Sequence, residues 1–277
     1  SLNQKGSIFV SKSDMTGYGY SIEADEVALV INSDHKFTFD SRSRNTCNRR
    51  SGRRGGADIT AAVSAASKKY IWLEGEFKSL QSRRVTNMLN LVNVSYSRVQ
   101  NLDTEHTKDA AYYLKDSHSN FLQNIRSNAC YKHAVHLDGS KHNFIYNVKT
   151  SECGRGLIVE NQSNNNLFMK GVLASNDIIR RDSIQGRGIF FNNNSDNNSL
   201  VKMAVLSSDR HSIMFENSND QNTLSHITVA NALSGGITID ANSNDNNISS
   251  VVAMNTGKGI HMNNPSRRTR AQNNLFN

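Results

Sequence analysis

The stretch GITIDANSNDNNI, residues 236–248, contains the pattern that decides the fold. It opens on a small residue, has the apolar residues Ile237 and Ile239 with one residue between them, and ends in an Asn-rich run. Two further stretches repeat this layout, AVHLDGSKHNFIYNV at 134–148 and GLIVENQSNNNL at 156–167. Alternation over so few residues, bounded by Asn, Ser and Asp, predicts a short β-strand with one buried face and leaves no room for helices between the copies.

The pattern recurs every 22 to 24 residues over most of the chain. Alignment on Asn-x-Leu/Ile gives Asn120, Asn143, Asn165, Asn198, Asn222, Asn246 and Asn273, with steps of 23, 22, 33, 24, 24 and 27. Alignment on the small residue gives Ala111, Ala134, Gly156, Gly188, Ser212, Gly236 and Gly259, with steps of 23, 22, 32, 24, 24 and 23. Both series contain one long step, which indicates an insertion of about ten residues around 176–186.

A repeat of this length with short strands in register predicts an all-β parallel solenoid, in which each coil buries its apolar row against its neighbours. The abundance of Asn supports this prediction. Asn occurs 37 times, 29 of them from Asn120 onward. Because Asn tolerates left-handed backbone conformations and its amide can bond the Asn of the next coil, we interpret most of these residues as structural.

These repeats resemble the right-handed parallel β-helix family, whose motif runs Gly-Ile-x-Ile…Ser-x-x-Asn-x-Ile-x-x-Asn. The resemblance covers residues 57–277 and implies a right-handed single-stranded parallel β-helix of about 8 coils. The apolar spacing of residues 58–66 predicts a short N-terminal capping helix, and residues 70–77 resemble the first strand that follows such a helix in polysaccharide lyases. Residues 1–56 are interpreted as an N-terminal extension with two strands, at 26–32 and 36–40, and an Arg-rich loop at 41–56.

Composition and charge exclude several classes of function. The chain of 277 residues is 36% hydrophobic, with a mean hydropathy of −0.57 and no run near the roughly 20 apolar residues that span a bilayer. Its first ten residues, SLNQKGSIFV, lack the layout of a signal peptide. The net charge is +8, but residues 41–56 hold six Arg and residues 265–277 three, with no acid in either run, so the remainder is nearly neutral. We therefore expect no transmembrane segment and no nucleic-acid partner.

If the apolar rows point inward, the residues between them point outward and form columns with a spacing of about 4.8 Å. The first column, aromatic and apolar, is Tyr113, His136, Ile158, Phe190, Met214, Thr238 and His261. The second, largely acidic, is Lys115, Asp138, Glu160, Asn192, Glu216, Asp240 and Asn263. The third, basic, is His133, Arg155, Arg187, His211 and Lys258.

A basic row beside an aromatic and acidic strip suits a uronic-acid polysaccharide lying along the solenoid. The candidate ligand-binding residues are His133, Asp138, Glu160, Arg187, Phe190, His211 and Glu216. Two alternatives stay open. The charged columns are also what solvated turns contain, and the apolar centre of the first column is also what a covering segment or another subunit would bury.

Cleavage or epimerisation of a uronate requires a group that neutralises the carboxylate and a base that reaches the C5 proton. Arg155 fits the first requirement, with Asp138 and Glu160 as alternatives. His136, Tyr113 or His133 fits the second, and Arg155, His136 and Tyr113 are the candidate catalytic residues. The sequence has neither the Gly-His-Gly and Asp pairs of pectin hydrolases nor the Asp-Pro-His-Asp of alginate epimerases. Whether the protein is an enzyme is therefore left open, and if it is one, we expect a polysaccharide lyase or epimerase.

The cysteines do not indicate a metal site. No Cys-x-x-Cys or Cys/His spacing supports zinc, and we expect no cofactor, with Ca²⁺ at the acidic column as an alternative. Cys130 and Cys153 are 23 residues apart, which is one coil, and stacking would place their Cα atoms about 5 Å apart. This spacing allows a disulfide and equally allows two stacked free thiols.

Two functions fit these observations. The first is an extracytoplasmic protein, secreted, periplasmic or on the cell surface, whose three columns bind an acidic polysaccharide or surface glycan. Such a protein either only binds the glycan or also acts on it as a lyase or epimerase. The second is a non-enzymatic structural or adhesive component of a surface fibre, tailspike or envelope assembly, whose apolar column contacts other protein subunits.

Overall fold

The computed structural model of the protein describes residues 3–11, 15–17, 20–31, 37–39, 59–79, 85–176, 186–240, 242–263 and 268–276. Within these residues the regular secondary structure consists of β-strands. In chain order they are β1 (Ile8–Ser11), β2 (Met15–Gly17), β3 (Tyr20–Ile22), β4 (Ala28–Ile31), β5 (Phe37–Phe39), β6 (Ile59–Ala66), β7 (Trp72–Ser79), β8 (Val85–Val92), β9 (Arg98–Thr107), β10 (Ala110–Lys115), β11 (Phe121–Gln123), β12 (Arg126–Cys130), β13 (His133–Asp138), β14 (Phe144–Ser151), β15 (Arg155–Glu160), β16 (Leu167–Asn176), β17 (Arg187–Asn192), β18 (Ser199–Ser208), β19 (His211–Glu216), β20 (Thr223–Ala232), β21 (Gly235–Ile239), β22 (Asn247–Thr256), β23 (Ile260–Met262), β24 (Arg270–Gln272) and β25 (Leu275–Phe276).

The strands form two parallel sheets. Sheet A has the order β3-β6-β8-β10-β13-β15-β17-β19-β21-β23, and the main path of sheet B is β1-β4-β7-β9-β11-β14-β16-β18-β20-β22-β24. Each strand pairs with its equivalents one coil before and one coil after, so the sheets run the length of the molecule. The protein is a right-handed parallel β-helix, as the sequence predicts, with the predicted series of about 8 coils after residue 57 and further strands from the N-terminal segment added to the same two sheets.

The apolar residues of sheet A form one interior file. The paired positions are Val135, Leu157, Ile189, Ile213, Ile237 and Ile260. The first five are buried and the sixth is packed against the core. Burial of each such side chain stabilises the fold by about 1.5–3 kcal/mol, so the period-two alternation in the sequence directly determines which face of each strand points inward.

A buried Asn ladder closes the turn between the two sheets. Its members are Asn120, Asn143, Asn166, Asn198, Asn222 and Asn246. The Oδ1 atom of Asn143 accepts the backbone N–H of Asn120 at 3.0 Å, and its Nδ2 atom donates to the carbonyl of Ser117 at 2.9 Å. The Oδ1 atom of each ladder amide accepts a buried backbone N–H of the preceding coil, which confirms the structural interpretation of these residues.

The corner preceding this ladder has a left-handed backbone in every described coil. The corner column is Glu26, Tyr70, Tyr96, Ser119, His142, Asn165, Asn197, Gln221, Asp245 and Arg268, with φ between 54° and 59°. It also corrects the repeat alignment, because Asn165 belongs to the corner and its neighbour Asn166 to the ladder. The equivalent ladder position in the last coil is Thr269, whose hydroxyl accepts the N–H of Asn246, so the alignment on Asn273 is also wrong.

The predicted N-terminal capping helix is wrong for residues 59–66, which form β6. This Ala-rich segment satisfies a period of two as well as a helical period, since Val63 and Ala65 are both buried. As a strand it pairs with β8 on one side and β3 on the other, whereas so short a helix gains little stability from its own hydrogen bonds.

The N-terminal strands continue the two sheets. The predicted strands at 26–32 and 36–40 are confirmed as β4 and β5, and β4 pairs with β7 in sheet B. The division of the chain after residue 56 stays a prediction. The Arg-rich segment 41–56 lies outside the described residues, as does most of the predicted insertion at 176–186.

Cys130 and Cys153 form a disulfide between adjacent coils, with Cα atoms 4.4 Å apart. Both residues are fully buried. Of the two alternatives that the sequence allows, the structure has the bridge, which fixes the coil containing β12 to the coil containing β15.

Candidate functional site

The outer face of sheet A carries the three predicted columns in the predicted register. Tyr113 pairs with His136, His136 with Ile158, and Ile158 with Phe190. The acidic column is paired from Lys115 to Glu160 and the basic column from His133 to Arg187 by the same strands. Side chains that are about one coil apart in sequence are thereby neighbours on one surface.

Two hydrogen-bonded pairs of titratable side chains lie next to each other on this face. The hydroxyl of Tyr113 donates to Oδ2 of Asp138 at 2.8 Å, and Nε2 of His136 lies 2.8 Å from Oε1 of Glu160. The rings of Tyr113 and His136 are 4.9 Å apart. All four side chains are partly exposed. The contacts join the first column to the second, so two predicted catalytic residues are each bonded to a predicted ligand-binding carboxylate.

The environment keeps Tyr113 in its protonated form. Burial raises the pKa of the Tyr113 phenol, and its hydrogen bond to Asp138, together with the negative charges of Asp138, Asp109 and Glu160, raises it further. The second oxygen of Asp138 accepts the amide N–H of Asn161 at 2.8 Å. Tyr113 is therefore protonated at neutral pH and does not fit the role of base that the sequence offered for it.

His133, in the basic column, is not available to a ligand in this structure. Only 7% of the residue is exposed, and its ring packs edge-on against that of His136 at 5.2 Å. Burial lowers the pKa of His133 well below its ordinary value, and the neighbouring His136, Arg155 and Lys132 lower it further. His133 is consequently a neutral packing residue beside the two pairs.

The apolar centre of the first column is buried within the single chain. Ile158, Phe190 and Met214 form a cluster separate from the interior core, and Phe190 and Met214 are 4% and 6% exposed. The guanidinium carbons of Arg155 and Arg187 lie 5.0 and 4.2 Å from the centroid of the Phe190 ring. Binding of a sugar ring to Phe190 therefore stays a prediction that requires displacement of these side chains.

The two arginines are held close to this apolar cluster. Burial lowers the pKa of Arg155, as does the nearby charge of Arg187, while Glu160 and Glu216 oppose the change. Burial also lowers the pKa of Arg187, against the effect of Glu216, whose Oε2 atom is 3.4 Å from Nη1. A guanidinium with a lowered pKa is still charged at neutral pH, so both are fixed positive charges on this face.

The remaining predicted binding residues lie toward the C-terminal coils. His211 is bonded through Nδ1 to the Thr238 hydroxyl at 2.9 Å, and burial, followed by the charges of Arg187 and Arg210, lowers its pKa. Glu216 and Asp240 help to line a polar cleft of about 680 Å³. Its other lining residues are Asn193, Asn194, Asn217, Ser218, Asn242 and Asn263.

Sequence reasoning missed the residues that orient the site. Asn161 donates to Asp138, and nothing in the sequence distinguishes it from the other polar turn residues; Thr238 was placed in the first column, but its hydrogen bond to His211 was not predicted. Their partners lie 23 and 27 residues away, so only an alignment accurate to one residue in every coil could have identified them.

The fold defines the class, a right-handed parallel β-helix protein. The family model described as periplasmic copper-binding protein (NosD) matches residues 73–179. Comparison with curated protein sequences finds no significant match. In the described part of the chain, no helix is long and apolar enough to cross a membrane.

Several solved structures share the fold at low sequence identity. A mutant of the periplasmic alginate epimerase aligns over 99% of this chain and 79% of its own, with a TM-score of 0.65 and 10% identity. An exopolygalacturonase from Thermotoga maritima aligns over 98% and 84%, with a TM-score of 0.59 and 10% identity. The catalytic domain of an α-1,3-glucanase, in complex with tetrasaccharides, aligns over 97% and 63%, with a TM-score of 0.58 and 13% identity.

Copper, named in the description of the matching family, does not fit the side chains that the structure describes. Among those residues, no group of three or more His, Cys, Asp and Glu side chains is arranged to hold a metal ion. The two cysteine sulfurs of the matched segment are joined to each other. Since a thiol must be deprotonated and free to bind copper, this segment lacks the thiolate ligands of a copper site.

Proposed function

We propose that the outer face of sheet A binds an acidic polysaccharide and carries out lyase- or epimerase-type proton transfer on it. The observation that carries the proposal is the arrangement of the Tyr113–Asp138 and His136–Glu160 pairs side by side on adjacent coils, on the same sheet face as Arg155, which lies three residues along β15 from the position paired with His136. Such an arrangement supplies an acid, a base and a cation, which are the groups that uronate chemistry requires.

The roles follow from the contacts. When the Nε2–H of His136 is donated to Glu160, the lone pair on Nδ1 accepts the C5 proton of a uronate. The electron pair left on C5 is delocalised into the sugar carboxylate, whose negative charge Arg155 stabilises. Tyr113 then donates its proton, either to the leaving glycosidic oxygen, which completes elimination, or to the opposite face of C5, which completes epimerisation.

Similarity to known proteins supports the ligand class. Two of the structural neighbours are named as enzymes acting on alginate and polygalacturonate, and a third was solved with tetrasaccharides bound. At 10 to 13% identity these proteins share the fold, so the ligand itself is inferred from the charges of the site. The proposed location is extracytoplasmic, which the disulfide and the periplasmic description of the matching family both support.

The structural or adhesive alternative has lost the observation that favoured it. It assigned Phe190 and Met214 to contacts with another subunit, but both side chains are already buried without one. Among the residues that the structure describes, the apolar centre of the first column is therefore not an exposed surface.

The experiment measures binding and turnover of oligomannuronate and oligogalacturonate. Calorimetry reports binding, ultraviolet absorbance reports unsaturated uronate ends, and proton NMR reports the epimer ratio. We expect wild-type protein to bind at least one oligomer, His136→Ala and Glu160→Gln to lose at least about 100-fold in rate, and Arg155→Gln to lose affinity. Glu152→Gln, an isosteric change at an exposed turn outside the site, serves as the matched control. Absence of binding to both oligomers would refute the proposal, and binding without turnover would limit it to recognition.

A further inference from the structure

The outer face of sheet B is apolar over three consecutive coils, those of β14, β16 and β18. The apolar side chains that point outward there, here called the sheet B patch, are Phe144, Tyr146, Leu167, Met169, Val172 and Val201. They alternate with residues of the interior, such as Ile145, Phe168 and Leu173. All six are at least partly exposed, and Val172 is 39% exposed.

The fold does not require apolar residues at these positions. Two columns of the patch become polar in the following coils. After Leu167 the first column continues as Ser199, Thr223 and Asn247, and after Val201 the second continues as Ser225 and Ser249. Because the same strands form there with polar side chains, an apolar patch confined to three coils marks a surface that contacts something outside the chain.

Three lysines lie within the patch. Lys149, Lys170 and Lys202 are all exposed, and Lys149 is opposite Val172 in the register of the sheet. The Nζ atom of Lys170 is 3.2 Å from the hydroxyl oxygen of Tyr146, which occupies one of its three donors. The strands β14, β16, β18, β20 and β22 contain no Asp or Glu.

Among the described residues, acids border the patch but do not lie within it. Glu152 and Asp209 each follow the last residue of a strand, β14 and β18. Asp196 precedes β18 by three residues, and its Oδ1 atom accepts a backbone N–H of the next coil at 2.7 Å. Asp103, on β9, is opposite Arg126. The charges that point outward from the patch itself are therefore positive.

This composition fits an anionic membrane better than a protein or a glycan. Apolar and aromatic side chains interleaved with lysines are typical of surfaces that lie on anionic lipids, where the lysine stems pack on apolar surface and the ammonium groups reach the phosphates. Protein interfaces are depleted in lysine, and two copies packed face to face would bring their lysines together. Leu167, Met169 and Val172 offer a sugar chain neither an aromatic face nor a hydrogen bond.

We propose that the sheet B patch binds the surface of an anionic lipid bilayer. Phe144, Leu167 and Met169 enter the boundary between headgroups and acyl chains, and the three lysines contact the lipid phosphates. The patch shares no residue with the site on sheet A, so this inference does not rest on the function proposed there.

The test is co-sedimentation of the protein with lipid vesicles. One set contains phosphatidylcholine alone, and the other contains phosphatidylcholine and phosphatidylglycerol in equal amounts. We expect the partition coefficient to be at least about 10-fold higher for the anionic vesicles. It should fall as salt is raised, because screening weakens the attraction between exposed lysines and the lipid phosphates.

Removal of the lysines tests the electrostatic part of the proposal. The triple variant Lys149→Gln, Lys170→Gln, Lys202→Gln should lower the partition coefficient for anionic vesicles at least about 10-fold. Its matched control removes three exposed lysines outside the patch, Lys5→Gln, Lys69→Gln and Lys108→Gln. Because the control loses the same net charge from other surfaces, its partition coefficient should change by less than about 3-fold.

Removal of apolar side chains tests the insertion. The double variant Leu167→Ser, Met169→Ser introduces the residue that the same columns have at Ser199 and Ser225, so we expect it to fold with an unchanged melting temperature. Its partition coefficient for anionic vesicles should be at least about 10-fold lower, because less apolar surface enters the bilayer.

The outcomes distinguish a membrane from the other occupants. Equal binding to both kinds of vesicle, binding to neither, or an unchanged partition coefficient in either patch variant overturns the proposal. Displacement of the protein from vesicles by oligogalacturonate would make the patch a glycan site, and a dimer that Leu167→Ser, Met169→Ser dissociates would make it a contact between copies; either result also overturns it. Vesicle binding by a His136→Ala variant without turnover supports the patch and separates it from the site on sheet A.

Discussion

Replacement of Asn143 by Ala tests whether the buried ladder holds the coils together. The change removes the acceptor of the Asn120 backbone N–H and the donor to the Ser117 carbonyl, both in the interior. A buried group left without a partner destabilises by about 1–3 kcal/mol, and water entering the vacated space recovers part of this for two groups. We therefore expect the free energy of unfolding to fall by about 2–4 kcal/mol.

The assay is urea unfolding followed by circular dichroism, with the slope of the transition checked because repeat proteins can unfold in more than one step. Asn128→Ala is the matched control. Asn128 lies in strand β12 and its Oδ1 atom accepts one side-chain hydrogen bond, from Ser151 at 2.9 Å. Its loss should lower the free energy of unfolding by about 0.5–1 kcal/mol.

Hydrogen exchange provides a local measurement of the same change. In Asn143→Ala the backbone N–H of Asn120 loses its only acceptor in the ladder and should exchange faster, while the amides of coils beyond Asn198 should be unaffected. If the two variants differ by less than about 0.5 kcal/mol and Asn120 remains protected, the amide ladder is not what satisfies the corner, and the reasoning is refuted.

Two further predictions concern the disulfide and the buried histidine. Reduction of the disulfide should lower the free energy of unfolding by about 3 kcal/mol, because it releases the 23-residue loop between Cys130 and Cys153 in the unfolded chain. The measurement is urea unfolding with and without dithiothreitol. A Cys130→Ala, Cys153→Ala variant whose stability still changes with the reductant would contradict this. Because the folded-state pKa of His133 is lowered, the unfolded chain takes up a proton below about pH 6.5 that the folded chain excludes, so stability falls with falling pH by at most about 1.4 kcal/mol per pH unit. His133→Gln should reduce this slope, and an unchanged slope would assign it to other groups, such as His211.

The fold was largely predictable because its main determinant is local. A strand in a parallel β-helix has one buried face, and the alternation of Ile237 and Ile239 identifies that face without knowledge of any other coil. The exceptions are positions at which the local pattern is ambiguous. The segment 59–66 satisfies both helical and strand periods, and pairing with β3 and β8 decides between them.

Asn165 and Asn166 illustrate a second kind of ambiguity. They are identical neighbours, yet one has a positive φ at the corner and the other joins the buried ladder. Only the register of the adjacent coils distinguishes them, because each ladder amide must meet a backbone group one coil away. An alignment that compares residue types alone does not include that contact between coils.

The candidate site was predictable as columns but not as contacts. Repeat spacing places His136 and Glu160 on neighbouring strands, whereas their hydrogen bond depends on side-chain rotamers. The burial of Phe190 beneath two guanidinium groups was likewise invisible, because an Arg in an outward column is expected to point into solvent. Exposure of a column member therefore has to be measured in the structure.

The left-handed corner affects how the sequence of such a protein can change in evolution. Its backbone conformation is maintained by hydrogen bonds between coils, and its side chains, which include Glu26, Tyr96, His142 and Arg268, differ widely while φ stays within 54° to 59°. Substitution at this edge alters the surface without disturbing the interior file. Proteins that share these coils are therefore expected to diverge most along this edge, and to acquire new ligands there one residue at a time.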